Sequence, residues 1–187
     1  ALAAALARLG QGHRIAEVSW KPFPTGRAGH GGIVAVQRLL AAGLDPGRLE
    51  RLEYHAPPLI HRLVGRPARV GMEPGYARLC LAYLAAVVLR RGTISLGNFH
   101  RDALDDPATL ELAARVAVIA DGNPDMAAFV PARAVALLQD GERVEERVSA
   151  QFGSPEWPLS EAEHMAKARA CLDFAGLGDC HEPLAQA

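Results

Sequence analysis

Pro131-Ala132-Arg133-Ala134-Val135-Ala136-Leu137-Leu138-Gln139-Asp140-Gly141-Glu142-Arg143-Val144-Glu145-Glu146-Arg147-Val148-Ser149-Ala150 decides the fold class of this chain. Pro131 to Gln139 and Arg143 to Ala150 read as two strands. Asp140-Gly141 between them is a strong signal for a two-residue hairpin turn. Upstream, Val116 to Ala120 reads as another strand. It follows a helix opened by Asp106 as N-cap and Pro107 at the first helical position, running to about Arg115. Strands and helices mixed in this order, with an antiparallel hairpin, indicate α+β rather than a doubly wound sheet.

Farther out, Tyr76 to Arg91 predicts one long helix with little polar face, buried on more than one side. Residues 66–75, with two prolines and two glycines, read as a loop. Pro57-Pro58 ends a charged, alternating strand from Arg48 to His55, and a short helix-like piece runs on to Val64. Asp45-Pro46-Gly47 is a turn. From His30 to Ala42, Ile33, Val36, Leu39 and Leu40 recur at helical spacing, and Gly43 stops the helix. Residues 14–20 read as a strand. On the C-terminal side, Gly153 to Pro158 is a proline-rich loop. Ser160 and Glu163 then form a capping box for a last helix with Met165, Ala168, Leu172 and Ala175 on its apolar face. The opening run to Gly10 reads as the final turns of a helix entering from upstream, so the chain is expected to be a piece of a larger protein.

The chain has 187 residues, half of them hydrophobic, with a formal net charge of -1. That charge argues against a general nucleic-acid or acidic-membrane partner. No apolar run is long enough to span a bilayer. Cys80, Cys171 and Cys180 make neither a metal-type pair spacing nor an even disulfide framework, so a reducing cytoplasm is the simplest location. No metal site is read, and no motif asks for a nucleotide or other cofactor.

The chemistry concentrates in Lys21-Pro22-Phe23-Pro24-Thr25-Gly26-Arg27-Ala28-Gly29-His30-Gly31-Gly32. Prolines restrict this loop, and glycines permit tight turns and close approach of a ligand. Lys21 and Arg27 can hold carboxylates, and His30 can move a proton near neutral pH. Such a loop suits a small polyanionic substrate.

Four landmarks in order resemble the C-terminal part of the MmgE/PrpD family, which includes 2-methylcitrate dehydratase and cis-aconitate decarboxylase. They are the Lys21-Pro22-Phe23-Pro24…His30 loop, Tyr76 to Tyr83, Val135 to Gly141, and Gly153 to Ser160 followed by Lys167. The resemblance spans about Leu2 to Phe174. It implies residues 1–11 as the end of a helical domain that is mostly missing. It implies 12–152 as a small α+β lid with an antiparallel sheet and packed helices, and 153–187 as a segment returning to the helical domain. The active site would lie in the cleft between the two domains, so this piece alone would not turn over substrate. Further implications are a homodimer, a di- or tricarboxylate substrate, and metal-independent lyase or isomerase chemistry.

On that resemblance Lys21 anchors a carboxylate, while Tyr83 donates a hydrogen bond or carries a proton. His30 ends the motif loop at a helix start, where anions are favoured. Arg27 is proposed as a bidentate clamp from chemistry alone. Each residue has an ordinary alternative: a solvated lysine, a packed or capping histidine, a core tyrosine, a surface arginine. His55 and His61 fit no metal motif and read as surface or structural, and Lys167 reads as serving its helix. The decarboxylase branch has a histidine where this chain has Gly26, which argues against decarboxylation and leaves dehydration, isomerisation and epimerisation open. The competing reading is a non-catalytic binding or assembly module that pairs with a separate helical subunit.

Overall fold

The computed structural model describes residues 2–13 and 15–182. In chain order the elements are α1 (Leu2–Leu6), α2 (His30–Ala41), β1 (Leu49–Ala56), α3 (Pro58–Val64), α4 (Pro74–Ala77), α5 (Leu81–Arg91), α6 (Arg101–Leu104), α7 (Pro107–Ala113), β2 (Val116–Ala120), β3 (Ala132–Leu138), β4 (Arg143–Val148) and α8 (Glu161–Phe174). The strands form one sheet in the order β2-β1-β3-β4. The fold is α+β, as the hairpin signal predicts. The sheet is mixed, however: β1 and β2 run parallel, and the other two pairings are antiparallel. A parallel pair needs a crossover, and α3 to α7 supply it.

Alternation along the strands divides the sheet into two faces. Leu52, Tyr54 and Ala56 of β1 and Ala134, Ala136 and Leu138 of β3 are buried on one of them. There α2 packs over β3 and β4, and α5 packs against α2, α7 and β2. The other face carries charge: Glu53 pairs with Arg51, and Glu145 pairs with Arg133, Arg143 and Arg147.

Close approach of α2 to α5 depends on a missing side chain. A Cβ at Gly32 would lie 2.5 Å from Leu81 Cδ1, so a larger residue would require the buried Leu81 side chain or the helices to shift. The helix boundaries follow local chemistry. Asp106 caps α7 by accepting from the Thr109 amide at 2.9 Å, and Ser160 and Glu163 close the capping box of α8.

Several expectations are corrected. The stretch at 14–20 forms no strand among its described residues: Ile15–Glu17 is a single 3-10 turn, and Ile15, Val18 and Trp20 are exposed. It pairs with no strand among the described residues and touches the domain through Trp20, whose amide donates to the Gly153 carbonyl at 2.7 Å. Arg14 lies outside the described residues. The single helix expected over 76–91 is two, α4 and α5. The Arg78 carbonyl is diverted to the Gly26 amide at 3.0 Å, and Cys80 forms an isolated bridge with Gly65. The hairpin loop is three residues, Gln139 to Gly141, because Gly141 adopts φ +84 and Leu138 closes the ladder on Glu142. Finally, α8 fully buries no residue: Met165 and Leu172 of its apolar stripe are only partly covered, and Ala168 and Ala175 are exposed.

Candidate functional site

The loop at 21–29 is fixed before any ligand is considered. The Thr25 amide donates to the Phe23 carbonyl at 2.8 Å, Gly26 is tied to Arg78, and a 3-10 turn at Arg27–Gly29 feeds directly into α2. His30 is therefore the first residue of α2, and it is 1% exposed. The Phe23 ring meets the imidazole edge-on at 5.5 Å between centroids. Its Nε2 has no hydrogen-bond partner among the described residues.

The electrostatics around His30 have one sign. Burial pushes its pKa down to about 4, and the positive charges of Lys21, Arg27 and Lys167 push the same way, against a backbone hydrogen bond with Thr25. His30 is thus a neutral base at physiological pH, held beneath three cations. Lys21 and Arg27 are exposed. The Arg27 guanidinium stacks over the Phe129 ring, 5.0 Å from its centroid. Among the described residues, no carboxylate forms an ion pair with Lys21, Arg27 or Lys167. Lys167 arrives on α8, which contacts the loop region through an edge-on packing of His164 on Trp20. A Ser154 hydrogen bond lowers the pKa of Glu156 and the nearby Arg27 charge helps, so one carboxylate borders the three cations. Such a cluster is still suited to an anion with several negative groups.

Lys21, Arg27 and His30 are brought together; Tyr83 stands elsewhere. Helix α5 turns Leu81 and Leu84 toward the glycines of α2. Tyr83, Val87 and Arg90 instead line a cavity of about 240 Å³ on another face, with Asn98 and Asp106. The Tyr83 side chain is fully buried. Its hydroxyl donates toward the Asn98 carbonyl at 2.5 Å and lies 3.2 Å from the Ala103 carbonyl. Burial, with Asp106 and Cys80 nearby, pushes its pKa up to about 12. In this chain the hydroxyl ties α5 to the 98–103 segment.

His55 Nε2 donates to the Glu53 carboxylate at 3.1 Å, and His61 is exposed. Among the described residues no group of three or more His, Cys, Asp or Glu side chains is placed to hold a metal ion. None of the described helices is long and apolar enough to cross a membrane.

Two residues near His30 escape sequence reasoning. Tyr54 of β1 is 2% exposed, Gln151 just beyond β4 is 5% exposed, and neither side chain's polar atoms have a partner among the described residues. Both converge on Gly31: a Cβ built there would lie 2.5 Å from the Tyr54 hydroxyl and 3.6 Å from Gln151 Nε2. Strand alternation could have placed Tyr54 on the core face, but nothing local links it to Gln151. Lys167 carried a motif signal, yet its approach to His30 is purely tertiary.

Fold and site together define an α+β domain with a buried neutral histidine under a polycation at a loop–helix junction. The MmgE/PrpD C-terminal domain matches residues 23–179, and the chain belongs to the MmgE/PrpD family. No curated protein matches the chain.

Proposed function

We propose that the chain is the C-terminal portion of a lyase or isomerase of the MmgE/PrpD type, acting on a di- or tricarboxylate and closest in chemistry to 2-methylcitrate dehydratase. The observation that carries this reading is the convergence of Lys21, Arg27 and Lys167 on the neutral His30. Removing a proton next to a carboxylate builds negative charge, and fixed cations stabilise it where it develops. The same cations tune the base. With no anion bound they add to burial in keeping His30 unprotonated. Substrate carboxylates seated on them would cancel that field and raise the proton affinity of the imidazole when it is needed.

The test is titration calorimetry of the full chain with citrate and 2-methylcitrate at pH 7. Binding is expected, and Lys21→Ala should weaken it by about 10- to 100-fold, the loss of one charge-assisted contact. Unchanged affinity in that variant removes Lys21 from the site.

A second reading is a non-catalytic module that pairs with a separate helical subunit. It is favoured by one observation: α8 buries no residue, and Leu2, Leu6, Leu9, Ile15 and Trp20 at the other end of the chain are exposed as well. A chain that binds neither carboxylate supports this reading over the first.

A further inference from the structure

Arg27 is held at both ends. Its backbone sits in the 3-10 turn at Arg27–Gly29, just after Gly26, whose amide donates to the Arg78 carbonyl. Its guanidinium lies over the Phe129 ring, 5.0 Å from the centroid. Among the described residues neither a hydrogen bond nor an ion pair reaches that guanidinium, so the ring is the contact that orients it. Glu156 is engaged instead by the Ser154 hydroxyl, which donates to it at 2.6 Å.

Phe129 comes from the loop between β2 and β3, far from Arg27 in sequence. That loop is built by its own side chains. Asp121 Oδ1 accepts from the Asn123 amide, Asn123 Oδ1 from the Asp125 amide, and Asp125 Oδ1 from the Ala127 amide, each at 2.9 Å. The Asp121 amide donates to the Ala56 carbonyl at 3.0 Å, which anchors the loop's start to the end of β1. Phe129 is partly buried and packs against the core. The ring is thus held by packing, and it can hold the guanidinium in turn.

A free arginine side chain becomes ordered only when its anion arrives, and that ordering opposes binding. A ring beneath the guanidinium does the ordering beforehand, because the attraction of a cation to a ring face is not a hydrogen bond. The planar fork of N–H donors is left for a bidentate carboxylate. We propose that Phe129 is a positioning residue for carboxylate binding by Arg27, so that the loop from Asp121 to Phe129 belongs to the site. This rests on the carboxylate reading of Arg27.

The experiment is calorimetry of the full chain with citrate at pH 7, on the parent, Phe129→Leu, Phe129→Tyr, Arg27→Ala and the combination of Arg27→Ala with Phe129→Leu. Phe129→Leu keeps an apolar side chain and loses the ring, and should weaken citrate about 3- to 10-fold, the worth of ordering one arginine. Phe129→Tyr restores the ring and should bind within about twofold of the parent. In the Arg27→Ala background, Phe129→Leu should change nothing. A second readout needs neither ligand nor variant: in the free chain the ring current of Phe129 should move the Arg27 Nε–H proton resonance upfield of its free-arginine position. Citrate bound equally by Phe129→Leu and the parent overturns the positioning role and spares the carboxylate reading. A loss of equal size with and without Arg27, or one that Phe129→Tyr does not rescue, overturns it too, since Phe129 then acts through the fold. An Arg27 resonance at its free-arginine position overturns the stack itself, whether or not the variants fold. No citrate bound by the parent overturns the carboxylate reading and the positioning role with it.

Discussion

Replacing Gly31 by alanine sets two effects of known sign against each other. A Cβ at this position would sit 2.5 Å from the Tyr54 hydroxyl oxygen but 3.8 Å from Tyr54 Cζ, an ordinary contact distance. The obstacle is therefore a single oxygen atom, on a ring that is 2% exposed and held in the sheet. Overpacking at such a site costs ~1–3 kcal/mol, while the helix preference of alanine over glycine returns at most ~1 kcal/mol. Gly31→Ala should thus destabilise the chain by about 1–2 kcal/mol. Combined with Tyr54→Phe, the obstacle is gone and only the favourable effect remains, so the same change becomes neutral or stabilising. The double-mutant cycle should return a coupling of about 2 kcal/mol. Urea denaturation of the four proteins, followed by far-ultraviolet circular dichroism, measures it directly. Equal costs in both backgrounds, with coupling under ~0.5 kcal/mol, would show that the phenol does not stand against Gly31, and the polar group around it would dissolve.

Three further outcomes follow from other parts of the molecule. His30 titrates near 6.5 when unfolded and at about 4 when folded, so the unfolded chain takes up the proton first as pH falls. Stability should therefore decline from pH 6.5 toward pH 4, by on the order of 3 kcal/mol from this residue, and His30→Asn should flatten the curve in that window. A variant with the same slope as the parent excludes His30 as the source. Tyr83→Phe should cost about 1–2 kcal/mol through the lost bonds to the Asn98 and Ala103 carbonyls, yet leave citrate affinity unchanged. Lost binding without lost stability would instead return Tyr83 to the site. Gly153→Ala places a side chain against the Trp20 carbonyl at a φ of +87, and should cost about 2–4 kcal/mol by thermal melting. An unmoved midpoint would mean that the Trp20 segment does not dock there.

What could be read from the sequence was the part governed by neighbours along the chain. Asp106 with Pro107, Ser160 with Glu163, and Gly43 after α2 each satisfy or release backbone groups within a few residues, and each sits where its chemistry put it. The hairpin was legible for the same reason, short by one loop residue because the left-handed glycine adds a bulge. Misreadings arose where a distant partner decides. Ile15 to Trp20 has strand composition but pairs with no strand among the described residues. The helix at 76–91 breaks because Gly26, some fifty residues earlier, claims the Arg78 carbonyl. The parallel pairing of β1 with β2 depends on a crossover whose helices individually say nothing of direction. In the site, Lys21, Arg27 and His30 share one loop and could be seen together. Tyr54, Gln151 and Lys167 reach the same neighbourhood from three other elements. Tyr83 was singled out for its motif, while helical phase turns it toward Asn98.

The outward side of the sheet has a consequence for the chain in crowded solution. Strand β4 is an outer strand, and an outer strand offers a row of unpaired amides and carbonyls to any passing chain. Arg143, Glu145 and Arg147 alternate along it, each tied into ion pairs on the exposed side. A second copy adding itself along β4 would have to strip water from these charges. That border is thereby made a poorer template for fibre-like growth than the opposite one, where β2 carries no charged residue.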